Sequence, residues 1–299
     1  MRKGFTFIEM IFVIVIMGIL AKFGSEIFRN VYQNYTQSKA NNELQVNTEL
    51  TVQQIANRLQ YRIKDSMIAK VPGVGFNSMA LAAANATVFE WVGYDIDGWL
   101  GDDTNTRPTW SGFIDVNDFA NANANILVSP ASDFVAGGRV DTTIQTLSSA
   151  AITTTVADAA IFFTGANSDV QTDYGWNGAA QIDQNDTAAH RVGAALAIDR
   201  IIPGIDAFDG VDIYEQYQLS WTAYALELDN NGTLRLYYDY QPWLGEQYND
   251  GNGDDAILAQ NVTTLKLRAI GDMINIQVCI SENNITGSEY SICKEKAIF

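Results

Sequence analysis

The chain has 299 residues, of which 47% are hydrophobic, and its formal net charge is −17 at pH 7. This composition is ordinary for a packed protein and excludes a chain that is disordered throughout. The acidic balance, with no clustered stripe of lysine and arginine beyond the N-terminus, excludes nucleic acid as an expected partner, because phosphate binding needs the opposite charge.

The N-terminal segment is first basic and then apolar, with one acid inside the apolar part. Arg2 and Lys3 precede Gly4, and the apolar run over residues 5–21 contains a single carboxylate, Glu9. Such a run can enter a bilayer as a helix, yet a carboxylate within it costs about 2.5–3.5 kcal/mol on insertion scales. We therefore expect Glu9 to have a partner of opposite charge.

Two simpler explanations of this segment are a cleaved secretory signal and a plain membrane anchor. A cleaved signal ends at a small-residue site of the A-x-A kind, and residues 18–22, GILAK, match that pattern poorly. A plain anchor has no use for Glu9. An assembly element explains the segment better, because Glu9 is then a counter-charge for the α-amine of a neighbouring subunit.

The segment resembles the N-terminal signature of the type IV pilin and type II secretion pseudopilin family. That signature reads basic leader, glycine, phenylalanine, then glutamate at the fifth mature position, and it is matched by Arg2, Lys3, Gly4, Phe5 and Glu9. The resemblance implies that residues 1–4 are a leader, which a prepilin peptidase removes by cutting after Gly4 before it methylates Phe5.

The same resemblance implies a location and a set of partners. The protein is expected to be a single-pass inner-membrane protein with a periplasmic C-terminal domain, or extracellular once it is part of an assembled filament. Its expected partners are the prepilin peptidase, the inner membrane and other pilins or pseudopilins, which it meets through the N-terminal helix.

One long helix is predicted over residues 5–70, because no proline or glycine occurs between Ser25 and Val71 and Pro72-Gly73 stops it. Its first half is expected in the membrane. One face of its second half is expected to pack on the globular domain, and this face carries apolar residues at spacings of three and four, namely Val52, Ile55, Leu59, Ile63 and Met67. The exposed apolar stripe that remains comprises Phe23, Ile27, Val31 and Tyr35.

Residues 71–299 are predicted to form an α+β domain in which the long N-terminal helix packs on an antiparallel β-sheet. Its strands are predicted from β-branched and aromatic runs at residues 87–94, 219–228, 233–240, 256–259, 262–269 and 273–280. A large loop-rich insertion is predicted at about residues 98–200, with short strand candidates at residues 113–119, 126–128, 142–147 and 160–163.

The C-terminal third resembles the larger minor components of the same family, the J-type pseudopilin and the W-type minor pilin. The resemblance rests on Leu234-Arg235 in a predicted hairpin and on the phrase AILAQNVTTL at residues 256–265. It implies a minor pilin or pseudopilin, which is a structural and assembly subunit of a type II secretion or type IV pilus filament and not an enzyme.

The alternative from another functional class is a membrane-anchored adhesin or glycan-binding module. Its binding face would be the insertion together with a group of aromatic residues near the C-terminal third, namely Tyr237, Tyr238, Tyr240, Trp243 and Tyr248. Alternation along a strand sends about half of such residues into the core, so core packing is the simpler interpretation.

Cys279 and Cys293 are the only cysteines. In an oxidising compartment the pair predicts a disulfide that closes a short loop, and the alternative is two free thiols in the core. A cysteine–histidine metal site is not expected, because the only histidine, His190, is distant in sequence. A surface or packing role is expected for His190.

Two acidic, glycine-containing loops place oxygen ligands at alternate positions, a pattern that suits Ca²⁺. The first loop contains Asp250, Asn252, Asp254 and Asp255, and the second contains Asp95, Asp97 and Asp102. Neither loop completes the twelve-residue EF-hand pattern, and the alternative is that these residues simply make turns. Calcium is the only cofactor that the sequence suggests.

Overall fold

The computed structural model describes residues 6–101, 107–119, 125–148, 154–185, 187–283 and 289–299. Its first element is helix α1, Phe7–Leu59. With 53 residues, α1 is about 80 Å long at 1.5 Å per residue. Three short helices follow, and these are α2 (Ile96–Leu100), α3 (Val116–Phe119) and α4 (Arg139–Leu147).

Fourteen strands occur among the described residues. In chain order they are β1 (Ile68–Val71), β2 (Gly75–Ser78), β3 (Val88–Gly93), β4 (Leu127–Val128), β5 (Ala160–Phe163), β6 (His190–Gly193), β7 (Arg200–Pro203), β8 (Tyr217–Ser220), β9 (Thr222–Leu228), β10 (Leu234–Tyr240), β11 (Asp254–Ala259), β12 (Val262–Ile270), β13 (Met273–Asn283) and β14 (Glu289–Ile298). Single turns of 3₁₀ helix lie at Met79–Leu81, Val156–Asp158 and Pro242–Leu244.

The strands form three sheets. A six-stranded sheet has the order β11-β10-β9-β3-β1-β2, a five-stranded sheet has the order β4-β7-β6-β5-β8, and β12-β13-β14 form a three-stranded sheet. Every pairing between these strands is antiparallel. The predicted α+β class, with a long N-terminal helix and antiparallel sheets, is therefore confirmed.

The C-terminal part of α1 packs into the main core. The buried residues of α1 begin at Leu44 and include Val52, Ile55 and Leu59. These side chains belong to one cluster with inward residues of the six-stranded sheet, such as Trp91, and with inward residues of the three-stranded sheet. Because α1 packs against two sheets, its C-terminal part is fixed firmly to the globular domain that follows it in the chain. This domain is called the head below.

The predicted continuation of α1 over residues 60–70 is wrong, since the helix ends at Leu59. After the helix the chain pairs with a strand edge, and the Ile63 amide donates to a carbonyl oxygen of β3 at 2.8 Å. Asp65 then takes a left-handed φ of 66°, and β1 begins at Ile68. Ile63 and Met67 are buried, but they lie in a loop.

The insertion is larger and more ordered than predicted. Because β3 pairs directly with β9, the whole segment over residues 94–221 is inserted between two neighbouring strands of the six-stranded sheet. Within it, the five-stranded sheet covers a second core that contains Trp110, Phe134, Ile161 and Leu219. The insertion is therefore a folded lobe with its own hydrophobic core.

Two of the predicted strands in this lobe are wrong. Residues 142–147 lie in α4, because Val140 and Ile144, four residues apart, both face the second core. Residues 113–119 contain α3 and no named strand. The predicted strand at residues 160–163 is β5, and the predicted strand at residues 126–128 contains β4.

A buried ion pair joins two strands of the six-stranded sheet. Lys70 Nζ on β1 lies 3.0 Å from Glu90 Oε1 on β3, and the Tyr240 hydroxyl donates to Glu90 Oε2 at 2.9 Å. Burial raises the pKa of Glu90, and the ammonium group of Lys70 opposes that rise. One carboxylate oxygen therefore lies beside a counter-charge, and the other accepts a hydrogen bond.

Lys70→Met is expected to lower the free energy of unfolding by about 3 kcal/mol or more, since an unpaired buried carboxylate remains. Glu90→Gln should cost less, because an amide oxygen still accepts from Tyr240. The double variant should be more stable than Lys70→Met alone in urea denaturation. The loss in Lys70→Met should also shrink as the pH falls through the raised pKa of Glu90, because the protonated carboxyl needs no counter-charge.

Lys64→Met is the matched control. Lys64 Nζ also lies 3.0 Å from a carboxylate oxygen, that of Asp272, but both side chains are exposed, so the change should stay below about 1 kcal/mol. Equal losses in the Lys64 and Lys70 variants, or strictly additive losses in the double variant, would contradict the proposed importance of the buried pair.

Candidate assembly interface

The N-terminal part of α1 projects from the head without intramolecular cover. Within the described part of α1, no residue before Leu44 is buried. The predicted apolar stripe of Phe23, Ile27, Val31 and Tyr35 is confirmed, with 59 to 65% of each residue exposed. Contiguous apolar surface on this scale marks a site of contact with a membrane or with another protein.

The first part of this projection has the properties of a membrane span. Among the described residues, α1 contains a stretch long and apolar enough to cross a bilayer, and none of that stretch is buried against the rest of the chain. Residues 7–43 extend for about 55 Å, whereas the hydrocarbon core of a bilayer is about 30 Å thick. A bilayer therefore covers only part of the exposed helix.

Glu9 lies in the first turn of α1 and is held by the residue that caps the helix. The main-chain amide and the hydroxyl of Thr6 both donate to Glu9 Oε2, each at 2.8 Å. The bond from the Thr6 amide is that of a capping box, in which the carboxylate satisfies an amide that the helix leaves without a partner. Both hydrogen bonds use the same carboxylate oxygen, so the side chain is oriented while its charge stays exposed.

Thr6 is not among the site residues predicted from the sequence. Its signal is a threonine three residues before a glutamate at the start of an apolar run, and residues 6–9, TFIE, show it. The predicted processing residues Gly4 and Phe5 lie outside the described residues, so their assignment stays a prediction.

The loop predicted to bind calcium near the C-terminal third uses its oxygens within the protein. The Asp250 carboxylate accepts from the main-chain amides of Gln247 and Asn252 at 2.8 and 2.9 Å. Asp255 pairs with Arg235 at 2.5 Å. Among the described residues, no group of three or more His, Cys, Asp or Glu could hold a metal ion. Calcium binding at Asp250, Asn252, Asp254 and Asp255 stays a prediction.

Asp95, the first residue of the other calcium candidate, has a structural position. Its carboxylate accepts from the Gly98 amide at 3.0 Å, from Trp110 Nε1 at 3.0 Å and from Trp221 Nε1 at 3.3 Å. Burial raises the pKa of Asp95, and these three donors oppose the rise. Since Asp95 opens the insertion and Trp221 closes it, this carboxylate ties the two ends of the lobe together.

The other two residues of this calcium candidate, Asp97 and Asp102, form no metal site with Asp95 among the described residues. Asp97 is exposed at the start of α2, and Asp102 lies outside the described residues. With its oxygens already engaged by three donors, Asp95 is better explained as a helix cap and an anchor for two tryptophans than as a cation ligand.

The two cysteines and the single histidine have structural roles. Cys279 and Cys293 lie opposite each other on β13 and β14 and are joined as a disulfide. His190 is buried, with its ring centre 5.0 Å from that of Phe163. Burial lowers the pKa of His190 to about 4, so the ring is neutral at pH 7 and packs as a core side chain.

The aromatic residues considered for glycan binding lie mostly in the core. Tyr240, Trp243 and Tyr248 are buried, and Tyr237 and Tyr238 are half-buried. The Tyr237 hydroxyl donates to Glu227 at 2.8 Å. An exposed aromatic strip is therefore not present at these positions, and the interpretation as core packing accounts for them.

Comparison with known protein families gives a match at the N-terminus. The family model of the prokaryotic N-terminal methylation motif matches residues 1–21. No curated protein matches the chain, and no solved structure matches it. The matched motif contains residues 1–4, which are predicted to be a leader, together with Glu9 and the apolar run at the start of α1. With its N-terminal methylation motif and long apolar helix, the chain fits the type IV pilin and pseudopilin class.

Proposed function

We propose that this protein is a minor pilin or pseudopilin that joins or primes a helical filament in type II secretion or type IV pilus assembly. It is inserted once in the inner membrane by α1, and its head lies in the periplasm. The main support for the proposal is a mismatch in length. The exposed part of α1 is about 55 Å long, whereas the hydrocarbon core of a bilayer is about 30 Å thick.

Apolar residues beyond the bilayer need a second kind of cover. Ile27, Val31 and Tyr35 are exposed in the part of α1 that continues towards the head. Other apolar helices are the partners that suit such a stripe, because side chains in rows of three and four residues interlock with those of a neighbouring helix. Neighbouring pilin-type helices supply that partner in a filament.

Two features support a minor rather than a repeating subunit. Residues 71–261 contain five arginines, no lysine and 26 acidic residues, so this part of the head has a formal charge of −21. Identical heads packed side by side would repel one another. The lobe over residues 94–221 also adds bulk beside the six-stranded sheet. Both features favour neighbours that differ from this chain.

The same features support a structural role, and the aromatic part of the binding face expected for the rival adhesin is largely absent from the surface. The longest run of exposed apolar residues in the described part of the chain lies on α1, whereas the aromatic group expected to form a glycan-binding face is largely buried. The resemblance to J-type pseudopilins and W-type minor pilins supports the minor role, with Leu234-Arg235 in β10 and residues 256–265 spanning the turn from β11 to β12.

Processing is expected to remove the first four residues. In protein purified from native membranes, Phe5 should be the N-terminal residue and carry one methyl group, as read by intact mass and N-terminal peptide mapping. Gly4→Val should leave the precursor intact, because the larger side chain blocks approach of the peptidase. A mature N-terminus near Ala21 or Ser25 would contradict the proposal.

The charge of Glu9 is expected to matter for assembly and not for membrane insertion. Glu9→Gln keeps an acceptor for Thr6 but loses the counter-charge for a neighbouring α-amine, so filament incorporation should fall while membrane partition is unchanged or improved. Glu26→Gln is the control, since Glu26 is an exposed acid on the same helix beyond the uncharged run. Equal incorporation of both variants would contradict the role of Glu9.

A further inference from the structure

The sequence contains six triplets of the form Asn-x-Thr, the acceptor pattern of asparagine-linked glycosylation in exported proteins. They begin at Asn34, Asn85, Asn185, Asn231, Asn261 and Asn284. Transfer of a sugar requires that the asparagine amide and the threonine hydroxyl both be accessible to the transferase. The structure separates the triplets on this criterion.

In three triplets the threonine is described and its hydroxyl is already engaged by the fold. The Thr36 hydroxyl, inside α1, donates to the Tyr32 carbonyl oxygen at 3.0 Å. The Thr187 hydroxyl donates to the Asp173 carbonyl oxygen at 2.8 Å, and that of Thr263 donates to the Cys279 carbonyl oxygen at 3.3 Å. Each of these bonds must break before an enzyme can use the triplet.

Two further triplets are set aside for other reasons. In the triplet at Asn85, the middle residue Ala86 is buried in the main core, so the backbone there cannot leave the domain surface without exposing that residue. The triplet at Asn284 lies outside the described residues. Asn231 remains.

Asn231 lies at the tip of the hairpin that joins β9 and β10. Its side chain is exposed, and the middle residue of the triplet is Gly232, at a φ of +78°, which adds no side chain. The Asp229 carboxylate accepts from the main-chain amides of Asn231 and Thr233, both at 2.8 Å. Within the described part of the chain, neither the Asn231 amide group nor the Thr233 hydroxyl has a hydrogen-bond partner.

We propose that Asn231 is a site of asparagine-linked glycosylation, an inference that rests on the proposed export of the head to the periplasm. Asn231 Nδ2 forms a bond to the anomeric carbon of a lipid-pyrophosphate-linked oligosaccharide. The bond from that carbon to the pyrophosphate oxygen breaks, the lipid pyrophosphate leaves with the electron pair, and Nδ2 gives up one proton. An oligosaccharide transferase of the exporting membrane provides the catalyst.

The test is peptide mass spectrometry on the mature protein purified from its native membranes. The peptide that contains Asn231 is expected to carry a saccharide mass. Asn231→Gln and Thr233→Val should remove it completely, whereas Thr233→Ser should retain it, because serine keeps the hydroxyl. The peptide that contains Asn34 is the internal control and should be unmodified. Because these side chains are exposed or half-exposed at a turn, melting temperatures should confirm that all variants fold.

A processed chain that begins at Phe5 but carries no sugar at Asn231 would overturn this inference and leave the proposed function standing. A saccharide that persists in Thr233→Val would also overturn it, since the sugar would then not depend on the triplet. An unprocessed chain with unmodified Asn231 would overturn both the inference and the proposed function.

Discussion

The rest of the structure depends on one constraint. The N-terminal part of α1 is an apolar helix that is too long for one bilayer and lies too far from its own domain to be buried there. Within the described part of α1, residues before Leu44 have no buried side chain, and most of their apolar surface is exposed. The hydrophobic effect therefore drives this segment towards cover outside the chain. In the proposed function, lipid covers part of this surface and another apolar helix covers the rest.

The head holds the C-terminal part of α1 in a fixed position. The C-terminal part of α1 shares one core with the six-stranded and three-stranded sheets. Packed side chains therefore attach the helix to the head. Behind that core, the pair of Lys70 and Glu90 joins β1 to β3. Asp95 then closes the base of the inserted lobe through its bonds to Trp110 and Trp221. The lobe is thus held beside the sheet without interrupting it.

The sequence predicted those features that depend on local pattern. The apolar run, the exposed stripe on α1 and strands such as β5 and β10 follow from periodicity and composition alone. The helix end was missed because Ile63 and Met67 keep the helical spacing although they are buried in a loop. Residues 142–147 are rich in threonine, which favours strands, but the tertiary contacts of Ile144 decide for a helix.

In the candidate site, too, local sequence pattern predicts some features and tertiary contacts decide the others. Glu9 was identified from its cost in an apolar run, but its partner Thr6 appears only in the geometry of the cap. Asp95 was considered a calcium ligand from spacing, whereas its tryptophan donors lie 15 and 126 residues away. Strands β1, β2, β6, β7 and β14 are not among the predicted strands. β1 begins inside the predicted helix, and β14 is defined by its pairing with β13.

The central claim is that the first half of α1 contributes nothing to the stability of the head and exists for contacts outside the chain. Thermal unfolding of a soluble fragment over residues 41–299, compared with the head of the full-length protein in detergent, tests it most directly. The fragment is expected to be monomeric, to fold cooperatively and to melt within about 3 °C of the full-length protein, a shift of about 1 kcal/mol. A fragment that is unfolded, or that melts more than about 10 °C lower, would contradict the claim.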